Sequence, residues 1–229
     1  MSKSGRPPPA RQLKQRVKTA RGRTISSQLW LQRQLNEPYV AAAKAQGFRS
    51  RAAWKMQQMD ERYHLLKPGA RVVDLGAAPG GWTQVAVARV GDQGRVLAID
   101  INPMEPLAGA DVMQLDFTAA DAEAQVRARL DGPVDTVLSD MASPATGHKQ
   151  TDHIRIMLLC ELALDFALKV LKPGGSFVAK VLKGGTENEL LARMKRHFAT
   201  VRHAKPDASR KDSAEAYVVA TGFKGGEGA

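Results

Sequence analysis

Short runs of β-branched and aliphatic residues alternate along the chain with longer stretches in which apolar residues recur every three or four positions. The short runs predict strands and the longer stretches predict amphipathic helices. Strands are expected near residues 70–75, 94–100, 111–115, 133–139, 175–182, 199–204 and 215–222. Helices are expected near residues 81–90, 119–130, 153–171 and 186–198. This alternation predicts an α/β fold with a largely parallel sheet covered by helices.

The last two predicted strands are separated by residues 205–214, too few for the crossover helix that parallel neighbours need. We therefore expect these two strands to be antiparallel, so that the final strand starts at the edge where the parallel strands end. Open α/β sheets bind their ligands at that edge. Glu215, at the start of the final strand, is expected to meet residues from the ends of the parallel strands.

The N-terminal part of the chain has a different composition from the rest. Residues 38–64 allow two helical pieces separated by Gly47. Residues 1–36 contain nine basic residues and no Asp or Glu, so they carry most of the net charge of +11. This composition favours a flexible arm that binds a polyanion such as RNA, DNA or an anionic membrane. We expect a basic arm at 1–36, one folded domain at 37–224 and a flexible tail at 225–229.

Cysteine content and hydropathy limit the class of protein. One cysteine, Cys160, allows no internal disulfide or Cys-rich zinc site, and is typical of a cytosolic chain. Even the apolar stretch 156–171 contains three charged residues, and no run approaches the roughly 18 apolar residues of a membrane span. An organelle transit peptide is the alternative for the arm, but its three consecutive prolines argue against it. We expect a cytoplasmic monomer without a membrane partner.

The strongest local signal is a strand that runs into a glycine turn and a helix, at residues 72–82, which read VVDLGAAPGGW. Its G-x-x-x-G-G spacing differs from the G-x-G-x-x-G of dinucleotide sites. Asp74, Asp100 and Asp116 lie at the ends of three successive predicted strands. A carboxylate at the position of Asp100 accepts from ribose hydroxyls, and Asp116 suits an adenine amine. We therefore interpret the turn as a binding site for a ligand that contains a nucleoside but no pyrophosphate, and not as a bare βα turn. S-adenosylmethionine is the common ligand of this kind.

Several classes of methyl acceptor are disfavoured by the residues of this edge. Methylation at base C5 needs a Cys nucleophile, whereas Cys160 lies inside a predicted amphipathic helix. Methylation of exocyclic amines uses an Asn/Asp-Pro-Pro-aromatic loop, whereas residues 139–144 read SDMASP. His148 and His153 lack the acidic partners of a metal centre, so no metal is expected. The charged residues that remain on the edge are Asp140, Lys180 and Glu215.

Five blocks of sequence resemble the FtsJ (RrmJ-type) ribosomal RNA ribose 2′-O-methyltransferases, in matching order: residues 50–55, 74–82, 139–141, 174–181 and 209–217. The resemblance implies a Rossmann-like class I S-adenosylmethionine-dependent methyltransferase, with a seven-stranded, mostly parallel sheet and an antiparallel last strand. It places the catalytic tetrad of the family on Lys55, Asp140, Lys180 and Glu215. It places the cofactor contacts on Gly80, Trp82, Asp100, Asp116 and Asp140.

The resemblance also implies a substrate. Methyl transfer to a ribose 2′-hydroxyl of RNA is expected, with a uridine of large-subunit (23S) ribosomal RNA as the target and ribosomal RNA or the large subunit as the partner. Lys180 would be the base, or the group that orients the hydroxyl, and the sequence leaves its protonation state open. The alternatives are 2′-O-methylation of tRNA, a non-catalytic RNA-binding relative and a nucleotide-dependent oxidoreductase.

Two positions depart from the pattern of the family. Trp54 stands where Phe or Tyr is usual, and Ala214 stands where a basic residue often precedes the Glu. These departures affect the expected contacts with RNA and leave the reaction unchanged. Besides the arm, the basic residues expected to contact RNA around the catalytic edge are Arg49, Arg51, Lys205, Arg210 and Lys211.

Overall fold

The structure is a computed structural model that describes residue 24 and residues 38–144, 146–182, 187–210 and 213–225. The predicted arm lies outside the described residues except for Thr24, and so does the predicted tail except for Gly225. Lys211, one of the expected RNA contacts, also lies outside them. Within the described part of the chain, no helix is both long enough and apolar enough to span a membrane.

Helices and strands alternate through the described residues. The helices are α1 (Pro38–Ala45), α2 (Ala52–Tyr63), α3 (Gly81–Val90), α4 (Ala122–Ala128), α5 (Lys149–Val170) and α6 (Glu187–His197). The strands are β1 (Arg71–Leu75), β2 (Arg95–Asp100), β3 (Ala110–Gln114), β4 (Val134–Ser139), β5 (Leu171–Leu182), β6 (Phe198–Ala204) and β7 (Glu215–Phe223). Gly47 separates α1 from α2, at a φ of 72° that favours glycine.

The seven strands form one sheet in the order β3-β2-β1-β4-β5-β7-β6. Strands β1 to β5 pair in parallel, whereas β7 is antiparallel to both β5 and β6. The predicted sheet, mostly parallel with an antiparallel last strand, is confirmed. We call the edge where β1, β2, β4 and β5 end the carboxyl edge. Because β7 is antiparallel, it starts at this edge, with Glu215 opposite Leu182.

Both faces of the sheet are covered, because successive residues of a strand point to opposite faces. One face packs against α5, whose Leu164 and Phe166 are fully buried among the strand residues. The other face packs against α2 and α3, through Met56 and Met59 of α2 among others. This packing fixes α2 over the end of the sheet that carries the carboxyl edge.

Strand β5 begins earlier than the sequence predicts. Leu171 already pairs with Val134 of β4, and the ladder then shifts before it resumes at Thr136 and Ser176. Residues 172–175 lie outside the regular ladder because Pro173 has no N–H to donate and Gly174 adopts a φ of 82°. Residues 171–174 therefore form an irregular start to β5, ahead of the strand that the sequence predicts near 175–182.

Asp60 provides a test of how α2 is fixed. Its carboxylate is buried, accepts from the Leu66 N–H at 2.8 Å and pairs with Arg89 Nε at 3.1 Å. Asp60→Ala should lower the free energy of unfolding by about 2–3 kcal/mol, because it leaves a buried N–H without a partner. Asp111→Ala, which breaks an exposed ion pair with Arg129, should cost at most about 1 kcal/mol. Equal losses in urea denaturation would contradict this assignment.

Candidate active site

Four charged side chains meet at the carboxyl edge. Lys55 comes from α2, Asp140 follows the last residue of β4, Lys180 lies in β5 and Glu215 opens β7. The sheet order places β4, β5 and β7 side by side, so three of the side chains come from neighbouring strands. Packing of α2 on the same face brings the fourth. The structure therefore brings together the four residues that the sequence predicted as a catalytic group.

These residues form two ion pairs. Lys180 Nζ lies 3.0 Å from Asp140 Oδ1 and also donates to the backbone oxygen of Asp140 at 2.9 Å. Lys55 Nζ lies 3.3 Å from Glu215 Oε2. The two lysines are only 8% and 9% exposed. A buried ammonium is costly without a paired carboxylate, so each pair accounts for the burial of its lysine.

Tyr217 joins the two pairs and was not identified from the sequence. Its hydroxyl donates to Asp140 Oδ1 at 2.9 Å and accepts from Lys55 Nζ at 3.1 Å. It lies directly opposite Lys180 in the antiparallel ladder. The signal was present in the sequence, because a residue two positions after Glu215 in a strand points to the same face.

Burial and charge set the protonation of this group. Burial raises the pKa of Tyr217 well above its ordinary value, and the negative charges of Asp140 and Glu215 raise it further. Burial also raises the pKa of Glu215, but the charges of Lys55 and Lys180 outweigh this effect and leave it below the ordinary value. At neutral pH Tyr217 is therefore a hydroxyl donor and Glu215 is ionised.

A cleft of about 460 Å³ adjoins the ion pairs. Asp100, Asp116, Asp140 and Lys180 all line it. Asp100 accepts from the Ala78 N–H at 2.9 Å and from the Asn102 N–H at 2.7 Å. The structure thus places three predicted cofactor carboxylates in one cleft, next to the predicted catalytic lysine. Its apolar lining includes Ile99, Ile101, Leu115, Phe117, Met141 and Leu159.

Gly80 and Trp82 are placed differently from the three carboxylates. Neither belongs to the lining of the cleft. Trp82 is buried behind the ion pairs, with its ring centroid 5.4 Å from that of Tyr217. Within the glycine turn, Gly76 and Ala78 line the cleft, and a Cβ at position 76 would lie 2.7 Å from the Met141 backbone. Glycine at position 76 therefore allows the turn to pass under the loop after β4.

Asp74 lies beneath the glycine turn and was predicted as one of the strand-end carboxylates. It is completely buried and accepts one hydrogen bond, from Thr83 Oγ1 at 2.7 Å. Burial raises its pKa to about 7, and the Thr83 bond opposes this effect while Asp140 and Asp100 add to it. Within the described residues, Asp74 Oδ1 has no hydrogen-bond partner.

Three of the five basic residues expected to contact RNA, namely Arg49, Arg51 and Lys205, donate to backbone oxygens of the protein. Arg51 donates to the backbone oxygen of Ala208, and Lys205 Nζ donates to that of Ser213 at 2.8 Å. Arg49 donates to backbone oxygens beside the glycine turn. These contacts hold the loops around the carboxyl edge. Among the described residues, no three His, Cys, Asp or Glu side chains are grouped as metal ligands.

Comparison with known proteins agrees with this geometry. Residues 48–223 match the FtsJ-like methyltransferase family. A protein of Parvibaculum lavamentivorans named ribosomal RNA large subunit methyltransferase E is 62% identical, over 94% of this chain and 89% of its own length. The Azorhizobium caulinodans protein of the same name is 59% identical, over 98% and 95%. A crystal structure of a Plasmodium falciparum protein assigned as a ribosomal RNA methyltransferase is 28% identical and covers 78% of this chain and all of its own, with a TM-score of 0.70.

The burial of Asp74 predicts a pH dependence of stability. With a pKa of about 7 when folded and 3.8 as the ordinary value, Asp74 is protonated in the folded protein and ionised in the unfolded chain between these limits. The contribution of Asp74 to the free energy of unfolding therefore falls as pH rises from about 4 to 7, by up to about 4 kcal/mol. Asp74→Asn should remove this fall, so that the variant gains stability relative to the wild type as pH rises from about 4 to 7. Parallel pH profiles of the two proteins in urea denaturation would contradict the assignment.

Proposed function

The chain belongs to the FtsJ-like methyltransferase family, and from this premise we propose that it transfers a methyl group from S-adenosylmethionine to a ribose 2′-hydroxyl of large-subunit ribosomal RNA. The observation that carries the proposal is the buried Lys180–Asp140 pair, 3.0 Å apart in the wall of the cleft. Proton removal can therefore take place beside a bound nucleoside. The similar proteins named for the large ribosomal subunit support the choice of RNA.

The residues of the cleft suit S-adenosylmethionine. When bound, this cofactor supplies a methyl group that its sulfonium has already activated for transfer. Asp100 would accept from the ribose hydroxyls and Asp116 from the adenine amine, while the negative charge of Asp140 suits the cationic methionine end. The apolar side chains Ile101 and Phe117 in the lining suit the faces of the base. The carboxylates therefore fit the donors and charges of the cofactor at both of its ends.

Lys180 would act on the acceptor hydroxyl. A ribose hydroxyl is a poor nucleophile at neutral pH, so the chain must orient it and remove its proton. Asp140 holds Lys180 Nζ through both its carboxylate and its backbone oxygen, which leaves the amine little freedom to turn away. Tyr217 and Lys55 fix Asp140 from the other side. We propose that Lys180 orients the 2′-hydroxyl and, as the neutral amine formed when its ammonium has released a proton to solvent, takes up the proton that the hydroxyl loses on methylation.

The finer identity of the substrate is part of the proposal. We propose a uridine of 23S ribosomal RNA as the target and the cytoplasm as the location, with the basic arm at 1–36 as an additional RNA contact. Labelled S-adenosylmethionine should be incubated with tRNA, naked ribosomal RNA and large subunits in parallel. Label in large-subunit RNA is expected. Label in tRNA alone would support the tRNA alternative, and no label in any RNA would contradict the enzymatic proposal.

Substitution of the proposed base tests its role. Lys180→Met keeps an unbranched side chain of similar length and removes the ammonium. Methyl transfer should therefore fall by roughly 10²-fold or more, while cofactor affinity stays near that of the wild type. Lys172→Met is the matched control, because Lys172 lies at the other end of β5 and pairs with Asp135. Near-normal turnover of a folded Lys180→Met protein would remove Lys180 from the mechanism.

Substitution of the proposed ribose ligand should act on binding. Asp100→Ala removes a charge-assisted hydrogen bond to the cofactor and should weaken its binding by roughly 1.5–3 kcal/mol, with a smaller effect on turnover at saturating cofactor. Asp116→Ala should act in the same direction. Asp111→Ala is the control, because Asp111 lies near the start of β3 whereas Asp116 follows its end. Wild-type affinity of both cleft variants in calorimetric titration would contradict the proposed orientation of the cofactor.

A further inference from the structure

Arg49 lies in the link between α1 and α2, and its guanidinium extends over the glycine turn. Nη1 donates to the backbone oxygen of Glu105 at 2.6 Å, and Nη2 donates to that of Pro106 at 2.6 Å. A longer contact of 3.4 Å joins Nη1 to the oxygen of Pro79. One side chain therefore connects the glycine turn to the loop between β2 and β3, which we call the β2–β3 loop (residues 101–109).

The backbone of Arg49 is itself held in place. Its N–H donates to Gln84 Oε1 at 2.7 Å, and Gln84 Nε2 donates to the backbone oxygen of Gly47 at 3.0 Å. Gln84 belongs to α3, the helix that follows the glycine turn. The guanidinium therefore extends from an anchored backbone, and its position is fixed relative to the cleft.

The β2–β3 loop has few other attachments. Ile101 and Asn102 at its start line the cleft. Pro103 and Pro106 have no N–H to donate. Among the described residues, Arg49 makes the only hydrogen bonds to residues 103–106. Without Arg49, this part of the loop would have no hydrogen bond to any other residue that the structure describes.

Gly80 provides the space for this contact. It adopts a φ of 108°, and a Cβ there would lie 3.0 Å from both Cδ and Nη1 of Arg49 and 3.1 Å from Met104 Sδ. A side chain at position 80 would therefore compete with Arg49 for the same space. The acceptors of the guanidinium are all backbone oxygens, and no carboxylate of the described residues forms an ion pair with it.

We infer that Arg49 is a positioning residue for the cofactor. Its hydrogen bonds hold the β2–β3 loop beside the nucleoside end of the cleft, and we call this contact the latch. The latch also connects the loop to the segment that leads into α2, the helix that contains Lys55. The inference rests on the proposed function for the identity of the ligand. It replaces the role suggested by the sequence, in which Arg49 was one of several phosphate contacts. The latch depends on the geometry of the guanidinium, whereas a phosphate contact depends mainly on charge.

This difference makes lysine the informative substitution. An ammonium keeps the positive charge, but it is a compact donor that cannot reproduce the planar fork of the guanidinium. Arg49→Lys should therefore behave like Arg49→Ala if the side chain latches the loop. It should behave like the wild type if the side chain only attracts phosphate.

Calorimetric titration with S-adenosylmethionine is the first test. Arg49→Ala and Arg49→Lys should both bind it roughly tenfold more weakly, within the range usual for coupling between two parts of a protein. The KM for the cofactor should rise by a similar factor while kcat at saturation is retained. Arg71→Ala is the matched control, because Arg71 Nη1 also donates to a loop oxygen, that of Asp131 at 2.7 Å, but at the opposite edge of the sheet.

Hydrogen exchange of the ligand-free protein is the second test, and it does not require the proposed function to hold. Exchange of the Asn102 and Ala110 amides, which donate to Asp100 Oδ1 and to the Leu107 backbone oxygen at the two ends of the loop, should be faster in both Arg49 variants and unchanged in Arg71→Ala. Unchanged exchange and unchanged cofactor affinity would overturn the latch. Weaker RNA binding in Arg49→Ala that Arg49→Lys restores, with normal cofactor affinity in both, would establish the phosphate contact instead. Failure of the wild type to bind S-adenosylmethionine would overturn the proposed function, and exchange would still decide the latch.

Discussion

The site depends on the pairing of two buried ammonium groups with two carboxylates. Lys55 and Lys180 are almost fully enclosed by protein, where an isolated charge would be costly. Each is stable there because a carboxylate lies within 3.3 Å of its nitrogen. The Tyr217 hydroxyl contacts both pairs, so the four charges act as one unit. Removal of one member would leave an uncompensated charge, and this constrains the identity of every residue in the unit.

Sheet topology makes this pairing possible. Strand β7 runs antiparallel between β5 and β6, so its first residues lie at the edge where the parallel strands end. Glu215 and Tyr217 thereby meet Lys180 and Asp140. The same edge forms the cleft, so the reacting hydroxyl and the cofactor can meet at one place. Helix α2 adds Lys55. Arg49, in the link before α2, contacts the β2–β3 loop beside the nucleoside end of the cleft.

The sequence was most informative where a single strand determines the position of a residue. The positions of Asp100 and Asp140 at the carboxyl edge follow from the predicted ends of their strands. The position of the start of β7 follows from the short link between β6 and β7. Strand alternation places Tyr217 on the same face as Glu215, but the partners of its hydroxyl follow only from the pairing of β7 with β5. Arg49 was interpreted through its charge alone, because the carbonyl groups it contacts are 56 and 57 positions away. Contacts of this kind depend on loop conformation, which hydrophobic periodicity does not encode.

The proposed transfer of the methyl group to a ribose oxygen beside Lys180 can be tested through the alkali resistance of the product. A 2′-O-methyl group blocks cleavage of the adjacent phosphodiester, because the free hydroxyl is the attacking group in alkaline hydrolysis. Large-subunit RNA methylated by the protein with labelled S-adenosylmethionine should be hydrolysed in alkali. We expect the label in alkali-resistant dinucleotides. Label released entirely in mononucleotides would place the methyl group on a base and contradict the proposed transfer.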